Sequence, residues 1–142
     1  MNERTSDTTL VVAAVIRKND KILLSSRPQG RKYHGFWEFP GGKIAPEDET
    51  PQSALKRELK EELNADALPL DIIFQNDFFD KSPIKIFFIR TFLKNTDDLH
   101  CKEGQEFRWL SLNQLTHYRI LPADIALIKF LYPYCYVKLA KI

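Results

Sequence analysis

Residues 41–65 read GGKIAPEDETPQSALKRELKEELNA, and this stretch decides the fold. Thr50 and Pro51 are typical of a helix start, because threonine caps free backbone N–H groups and proline suits the first helical position. Apolar side chains then recur every fourth residue, at Leu55, Leu59 and Leu63. Asn64 tolerates a left-handed backbone and so favours a helix stop. The pattern predicts an amphipathic helix whose leucines face a core.

Three carboxylates on the same helix, Glu58, Glu61 and Glu62, stand at positions i, i+3 and i+4. That spacing puts them on one stripe of the helix surface. The run Pro40-Gly41-Gly42 is predicted to form a tight bend nearby, whose bare backbone lets a ligand approach closely. Oxygen-rich clusters of this kind hold Mg²⁺ or Mn²⁺. Taken alone, residues 55–63 are more typical of a solvated amphipathic helix with its charges facing water and its leucines facing the core.

The segments before this stretch indicate a hairpin. Residues 10–16 form a β-branched apolar run, and a polar turn at residues 18–20 separates it from Lys21–Ser26. The first strand is expected to be buried on both faces, because its apolar residues are continuous rather than alternating. Residues 28–35 are basic and irregular, and we interpret them as a loop.

The segments after the helix complete an α/β pattern. Residues 71–79 and 84–92 are rich in Ile and Phe and flank a polar turn, which predicts a second hairpin. Residues 107–110 favour one more strand, and Pro122 opens a segment with helical spacing of apolar residues. Strands and two helices in this order predict an α/β domain with a mixed sheet.

Length and composition restrict the alternatives. A chain of 142 residues is most simply one domain spanning residues 1–142, and we expect residues 1–8 to be a flexible tail. Its formal charge of +2 does not indicate binding to duplex nucleic acid, and no apolar run is long enough to span a membrane. Cys101 and Cys135 form no CxxC pair, and free thiols suit a reducing compartment. We expect a cytoplasmic protein without an obligate protein partner.

Read together, Gly42, Glu49 and the run Arg57-Glu58-Leu59-x-Glu61-Glu62 resemble the signature box of the Nudix family. This resemblance implies an α/β/α sandwich in which a loop, helix and loop bind a divalent metal ion. It also implies hydrolysis of a nucleoside diphosphate linked to another group. One extra residue lies between Gly42 and Glu49, which leaves the role of Glu49 uncertain.

Site roles follow from the resemblance. The implied metal ligands are Gly42, through its carbonyl, with Glu58, Glu61 and Glu62. Arg57 would orient the glutamates through an ion pair that holds them despite their mutual repulsion, and a surface salt bridge is the alternative. Glu103 lies on a later loop that supplies a base or an extra ligand in MutT-type members, so it is our candidate base. An ordinary loop glutamate remains the alternative.

The similarity to MutT-type enzymes extends from the first strand through residues 37–42 to residues 121–124. It implies that Asp124 contacts the base and that Arg27 approaches the nucleotide. Asp124 could instead serve a helix start, and Arg31 and Lys32 are equally able to meet a triphosphate. Phe39, beside Trp37, could stack on a base, although large apolar residues on a strand are more often core.

The sequence therefore predicts a Mg²⁺-dependent hydrolase, with Mn²⁺ as an alternative ion, that converts a nucleoside triphosphate to monophosphate and pyrophosphate. The expected substrate is 8-oxo-dGTP, which would make the enzyme a cleanser of the DNA precursor pool. A CTP or modified-pyrimidine pyrophosphohydrolase is the alternative within the family. A non-catalytic nucleotide-binding module is the alternative from another class, and it is disfavoured because all three box glutamates are present.

Overall fold

The computed structural model describes residues 8–48 and 50–132. Glu49, all but the last residue of the predicted N-terminal tail, and residues 133–142 lie outside these ranges. Among the described residues, no helix is long and apolar enough to cross a membrane.

The first sheet is mixed and has four strands. It contains β1 (Thr9–Val15), β5 (Gly41–Lys43), β6 (Asp66–Asp80) and β7 (Ser82–Asn95) in the order β5-β1-β7-β6. Strand β1 runs parallel to β7 and antiparallel to β5. The predicted second hairpin is β6 and β7, and it is longer than the apolar runs indicated because the pairing continues to Asp66 and Asn95 at one end and to Asp80 and Ser82 at the turn. Lys81 makes its turn with φ of 65°.

The second sheet is antiparallel and is centred on β3 (Lys21–Ser26). Its other strands are β2 (Arg17–Lys18), β4 (Trp37–Glu38) and β8 (Phe107–Ser111). The predicted first hairpin was therefore wrong in one respect. The strand that pairs with β3 across the turn is the two-residue β2, whereas β1 belongs to the other sheet. The turn itself is as predicted, with Asn19 in the left-handed region at φ of 59°.

The main helix, α1 (Pro51–Leu63), begins and ends where the sequence indicated. The Thr50 side chain accepts a hydrogen bond from the Ser53 backbone N–H at 3.0 Å, and the Ser53 hydroxyl accepts one from the Thr50 N–H. Asn64 ends the helix with φ of 56°. Two further helices follow, a short α2 (Leu112–Leu115) that the sequence did not reveal and the predicted C-terminal α3 (Pro122–Leu131).

Strand β1 separates two hydrophobic cores, because successive side chains of a strand point to opposite faces. Val12 and Ala14 pack with the buried leucines of α1. Ala13 and Val15 pack with the core that contains Leu127 of α3. The predicted burial of this strand on both faces is confirmed, and so is an α/β architecture in which a mixed sheet lies between helices. This layering places the first turns of α3 and the polar face of α1 near the same strands.

Candidate active site

The glycine pair predicted to form a tight bend lies instead in an extended strand. Gly41 and Gly42 belong to β5 and pair with Ala13 and Val12 of β1. Glycine is required at both positions because neighbouring atoms leave no room for a side chain, and not because the backbone turns. A Cβ atom on Gly41 would overlap the carbonyl oxygen of Val12, and one on Gly42 would overlap the carboxylate of Glu58. The strand is thereby brought directly against the acidic face of α1.

The three box glutamates differ in their exposure. The Glu61 side chain is 54% exposed, that of Glu58 is 18% exposed, and Glu62 points inward. Oε1 of Glu62 is buried and has no hydrogen-bond partner among the described residues. A buried polar atom without a partner is costly, so this oxygen requires a proton or a cation.

The pKa values of the clustered glutamates also indicate that a proton or a cation is required. Burial raises the pKa of Glu62 to about 8, and the negative charges of Glu38, Glu58 and Glu103 add to the shift. The pKa of Glu58 is also raised, chiefly by burial, although Arg57 opposes the shift. Several carboxylates this close cannot all be ionised at neutral pH unless positive charge compensates them.

Arg57 supplies part of that charge through all five of its N–H groups. Nη1 donates to Glu58 Oε2 at 3.0 Å and to Glu61 Oε1 at 3.3 Å. Nε donates to Asp48 Oδ1 at 3.1 Å, and Nη2 donates to Asp48 Oδ2 at 2.8 Å and to the Lys43 carbonyl at 3.2 Å. A guanidinium has five donors and no acceptor, so Arg57 is fully satisfied. It is therefore fixed between the end of β5 and the helix.

These residues fit a hard divalent cation. Carboxylate and carbonyl oxygens are the ligands that Mg²⁺ and Mn²⁺ prefer, and the partnerless oxygen of Glu62 lies among them. In residues 8–48 and 50–132, no three Asp, Glu, His or Cys side chains are already arranged as a closed metal site. The ion pairs of Arg57 with Glu58 and Glu61 occupy oxygens that an ion would otherwise share.

The carboxylates open into a cleft of about 640 Å³, which is within the usual range for small-molecule sites. The structure brings together nearly all the residues predicted for the site. The cleft is lined by the predicted metal and base residues Gly42, Glu58, Glu61, Glu62 and Glu103. The predicted substrate residues Arg27, Phe39 and Asp124 line it too. Arg57 supports the glutamates without being part of the lining.

Asp124 lies in the first turn of α3 and is only 4% exposed. Its Oδ2 accepts a hydrogen bond from the backbone N–H of Phe39 at 2.9 Å, so the carboxylate links α3 to the strand region before β5. Leu121 is the N-cap residue and makes no side-chain capping bond, whereas Asp124 is the acidic residue of the first turn, where the helix dipole favours a carboxylate. Burial raises the pKa of Asp124 well above its usual value, and the nearby charge of Glu38 adds to the shift.

The aromatic candidates are largely structural. Phe39 is 2% exposed, and its ring packs edge-on against Phe88 with 5.9 Å between centroids. What Phe39 presents beside Asp124 is its backbone. Trp37 is half-buried and packs edge-on against Tyr118 with 5.2 Å between centroids. The core interpretation of both aromatic rings fits their burial.

The three basic candidates have different surroundings. Arg27 forms an ion pair with Glu38 at 3.2 Å, and its Nε donates to the Lys32 carbonyl. Lys32 donates to both carboxylate oxygens of Asp80, at 2.6 and 2.8 Å. Arg31 lines the cleft together with Arg27, whereas Lys32 does not.

Sequence reasoning missed Glu38 and Asp48. Glu38 lies in the cleft lining, and its charge raises the pKa of both Glu62 and Asp124. The only signal for it was an acid between two aromatic residues, Trp37 and Phe39. The signature box assigns the neighbouring Glu49, so the sequence analysis did not single out Asp48. Nothing in the sequence shows that Asp48 faces Arg57.

A mixed α/β sandwich with a carboxylate cluster in a cleft of small-molecule size fits the class of metal-assisted hydrolases. Comparison with known proteins gives the family. The model of the NUDIX domain matches residues 7–131. The CTP pyrophosphohydrolase of Escherichia coli is 35% identical over 123 residues, which cover 84% of this chain and 87% of that protein. The 8-oxo-dGTP diphosphatase of Haemophilus influenzae is 35% identical over 119 residues, covering 82% of this chain and 87% of that protein.

A solved structure also matches this chain over most of its length. The solution structure of the E. coli ORF135 protein superposes with a TM-score of 0.71 at 34% identity, covering 88% of this chain and 89% of that one. The chain belongs to the Nudix hydrolase family and is an enzyme. Members of this family generally use a divalent metal ion, for which the acidic cluster is suited.

Proposed function

We propose that this enzyme is a Mg²⁺-dependent nucleoside triphosphate pyrophosphohydrolase acting on 8-oxo-dGTP, with 8-oxo-dGMP and pyrophosphate as products. The observation that supports this most is the buried, partnerless Oε1 of Glu62, in a carboxylate cluster that lines the same cleft as Asp124. Three relatives that are 32 to 35% identical are named 8-oxo-dGTP diphosphatases. The proposed role is removal of an oxidised precursor of DNA synthesis in the cytoplasm.

Glu58, Glu61 and Glu62, with the Gly42 carbonyl, would hold Mg²⁺, or Mn²⁺ in its place. When bound, the ion supplies positive charge that neutralises phosphate oxygens as the P–O bond breaks. Glu103 would accept the proton of the attacking water. It is suited to this because it is exposed and lines the cleft, where it can reach a water molecule.

Arg57 would keep Glu58 and Glu61 in place despite their mutual repulsion. Its two short contacts to their carboxylates support this role, and its remaining donors fix it to the protein. A displacement of about 1 Å at a reacting group can cost roughly 100-fold in rate, so such support matters for turnover.

Asp124, the backbone of Phe39 and Arg27 would bind the nucleotide. An ionised Asp124 accepts hydrogen bonds from N1–H and the 2-amino group of a guanine, whereas a protonated one also donates. Burial raises the pKa of Asp124 well above its usual value, which favours the protonated form. A backbone carbonyl is the expected acceptor for the N7–H that distinguishes 8-oxoguanine from guanine.

The chemistry is tested by product analysis with and without Mg²⁺, for the wild type and for Glu61→Gln. We expect monophosphate and pyrophosphate only with Mg²⁺, and turnover at least tenfold slower in the variant, because it loses a ligand charge. Absence of Mg²⁺-dependent turnover in the wild type would refute the proposal. So would a variant that is as active as the wild type.

A second candidate is hydrolysis of CTP or a modified pyrimidine triphosphate. It is favoured by one observation, the 35% identity to CTP pyrophosphohydrolase across 84% of the chain. Asp124 suits a cytosine as well, because a carboxylate accepts from its 4-amino group. The ratio of kcat/KM for the two substrates separates the candidates.

A further inference from the structure

We infer that Gln105 is a positioning residue of this enzyme, whose side chain closes the turn at residues 103–105 and thereby holds Glu103 in the cleft. The inference rests on the proposed function of Glu103 as the group that accepts the proton of the attacking water. It goes beyond that function, because it names the contact that fixes the backbone of Glu103.

The first observation is that Gln105 points inward from an exposed loop. Gln105 is only 8% exposed, whereas residues 102–104 and Glu106 are all exposed. Glutamine is mostly a surface residue, and a buried side-chain amide is costly unless it is hydrogen-bonded. A buried glutamine in such a loop therefore requires a specific partner.

The second observation is that this partner is the backbone of Glu103. Oε1 of Gln105 accepts a hydrogen bond from the Glu103 backbone N–H at 3.1 Å. Gly104, which lies between the two residues, has φ of 84°, a left-handed value that glycine adopts readily. The chain reverses at this glycine, and the side chain of Gln105 supplies the acceptor that closes the turn.

The third observation is that both ends of the loop are fixed by other contacts. The Lys102 N–H donates to the Glu62 carbonyl at 2.9 Å, which joins the loop to the last turn of α1. The Ser26 N–H donates to the Glu106 carbonyl at 2.9 Å, and the Ser26 hydroxyl accepts from the Glu106 N–H at 2.9 Å. Between these two fixed points, the hydrogen bond from Gln105 restrains the middle of the loop.

The position of the Glu103 backbone determines where its carboxylate can reach. Glu103 lines the cleft together with Glu58 and Glu62, but it is exposed, so packing restrains its side chain little. A base must lie within hydrogen-bond reach of the water that it deprotonates, and a displacement of about 1 Å can cost roughly 100-fold in rate. A turn closed by Gln105 keeps Glu103 within reach of that water.

The test compares Gln105→Met with a matched control, Gln114→Met, in the full-length protein. Each variant removes an oxygen that accepts from a backbone N–H, that of Glu103 in the first and that of Ser111, at 2.9 Å, in the second. Methionine is similarly unbranched, and its sulfur is only a weak acceptor. Gln114 is not among the residues that line the cleft.

We expect kcat to fall by about fivefold or more in Gln105→Met while KM stays within about twofold, because the carboxylate is displaced but the nucleotide contacts remain. Neither constant should change by more than about twofold in Gln114→Met, since its lost hydrogen bond lies outside the cleft. A smaller fall in kcat, or an equal fall in the control, would overturn the inference.

A second variant, Gln105→Asn, keeps a polar amide at this position. Its side chain is one methylene shorter, so its oxygen is drawn away from the Glu103 N–H. We expect the same fall in kcat as in Gln105→Met, with circular dichroism showing that both variants are folded. A folded Gln105→Asn that keeps the kcat of the wild type would contradict the inference.

Coupling to Glu103 is tested in a Glu103→Gln background. If Gln105 acts by placing the carboxylate of Glu103, the factor by which Gln105→Met lowers kcat must be smaller there than in the wild type, by about threefold or more. Equal factors in the two backgrounds would mean that Gln105 acts independently of Glu103, which contradicts the inference.

A readout without turnover separates this inference from the proposed function. In the metal-free protein, the Glu103 backbone N–H should exchange slowly with solvent in the wild type and in Gln114→Met, because it is hydrogen-bonded. In Gln105→Met the exchange should be faster by about threefold or more. An unchanged rate would refute the anchor whatever the enzyme hydrolyses, whereas a wild type that hydrolyses no nucleoside triphosphate would refute only the proposed function.

Discussion

The two adjacent glycines of β5 have different roles, because Gly41 lets two strands approach closely and Gly42 makes room for a carboxylate of the site. Gly41 lies against the backbone of Val12 and Ala13, whereas Gly42 lies against the carboxylate of Glu58. Backbone cannot yield without moving a strand, but the end of a glutamate side chain can rotate. The same substitution should therefore have different consequences at the two positions.

We predict that Gly41→Ala lowers the free energy of unfolding by about 1–3 kcal/mol, the usual cost of overpacking. Gly42→Ala should leave the free energy of unfolding within about 1 kcal/mol of the wild type, since only a side chain must move. It should instead weaken metal-dependent turnover at least tenfold, because Glu58 is displaced. Urea denaturation and kcat measured on both variants check this pair. Equal losses of stability, or full activity in Gly42→Ala, would contradict it.

The glycine pair also marks a limit of sequence reasoning. Pro40, Gly41 and Gly42 are typical of a bend, and we predicted one. The structure has a bend at Pro40, but the backbone of both glycines is extended, because their absent side chains make room for β1 and for Glu58. Such a tertiary requirement cannot be seen in a local pattern. The same is true of Asp48, whose contact with Arg57 depends on the path of an entire loop.

Helix α1 is the element that the sequence predicted best, because its start, its stop and its two faces are all local features. The reciprocal bonds between Thr50 and Ser53 close its first turn, and the left-handed Asn64 closes its last. Leu55, Leu59 and Leu63 are fully buried, as their spacing indicated. The strand pairing was harder, since β1 pairs with a distant β7 rather than with the adjacent β3.

For helix α1, we predict that Thr50→Ala lowers the free energy of unfolding by about 1 kcal/mol, the typical cost of losing an N-cap. The substitution removes the oxygen that accepts from the Ser53 N–H at 3.0 Å. Chemical denaturation of the metal-free protein measures the change, and Thr50→Ser, which keeps the oxygen, is the control. The capping account is wrong if both substitutions have the same effect.

In the whole molecule, folding buries several carboxyl groups in the cleft, where their ionisation is unfavourable. The pKa of Glu62 is about 8, and those of Glu58 and Asp124 are also raised, all chiefly by burial. A carboxyl whose pKa is raised on folding keeps its proton where the unfolded chain has lost it. Its stabilising contribution is therefore complete below the unfolded pKa and is lost as the pH rises through the folded pKa.

We accordingly predict that the free energy of unfolding of the metal-free protein falls between about pH 4.5 and pH 8. Glu62→Gln should flatten part of this dependence, because an amide does not titrate. Mg²⁺ should restore stability most at the upper end, where the carboxylates are free to bind it, by about 2.7 kcal/mol at 100 times its Kd. Urea denaturation at several pH values, with chelator and with Mg²⁺, measures both effects. A stability that rises across this window would contradict the prediction.

The residues proposed for catalysis and those proposed for binding the nucleotide come from different segments of the chain. The box glutamates Glu58, Glu61 and Glu62 lie close together in the sequence, which is why a short signature identified them. The nucleotide side of the cleft is assembled from Arg27, Phe39 and Asp124, which are far apart in the chain. Its hydrogen-bonding pattern depends on backbone positions and on the protonation of Asp124, so sequence alone could not choose the base.

The substrate of this enzyme is decided by kcat/KM of the purified protein with Mg²⁺ for 8-oxo-dGTP, dGTP, CTP and 5-methyl-dCTP. We predict the highest value for 8-oxo-dGTP, with release of monophosphate and pyrophosphate. A higher value for CTP or 5-methyl-dCTP would contradict our choice of substrate, and no hydrolysis of any of the four would contradict the proposed function.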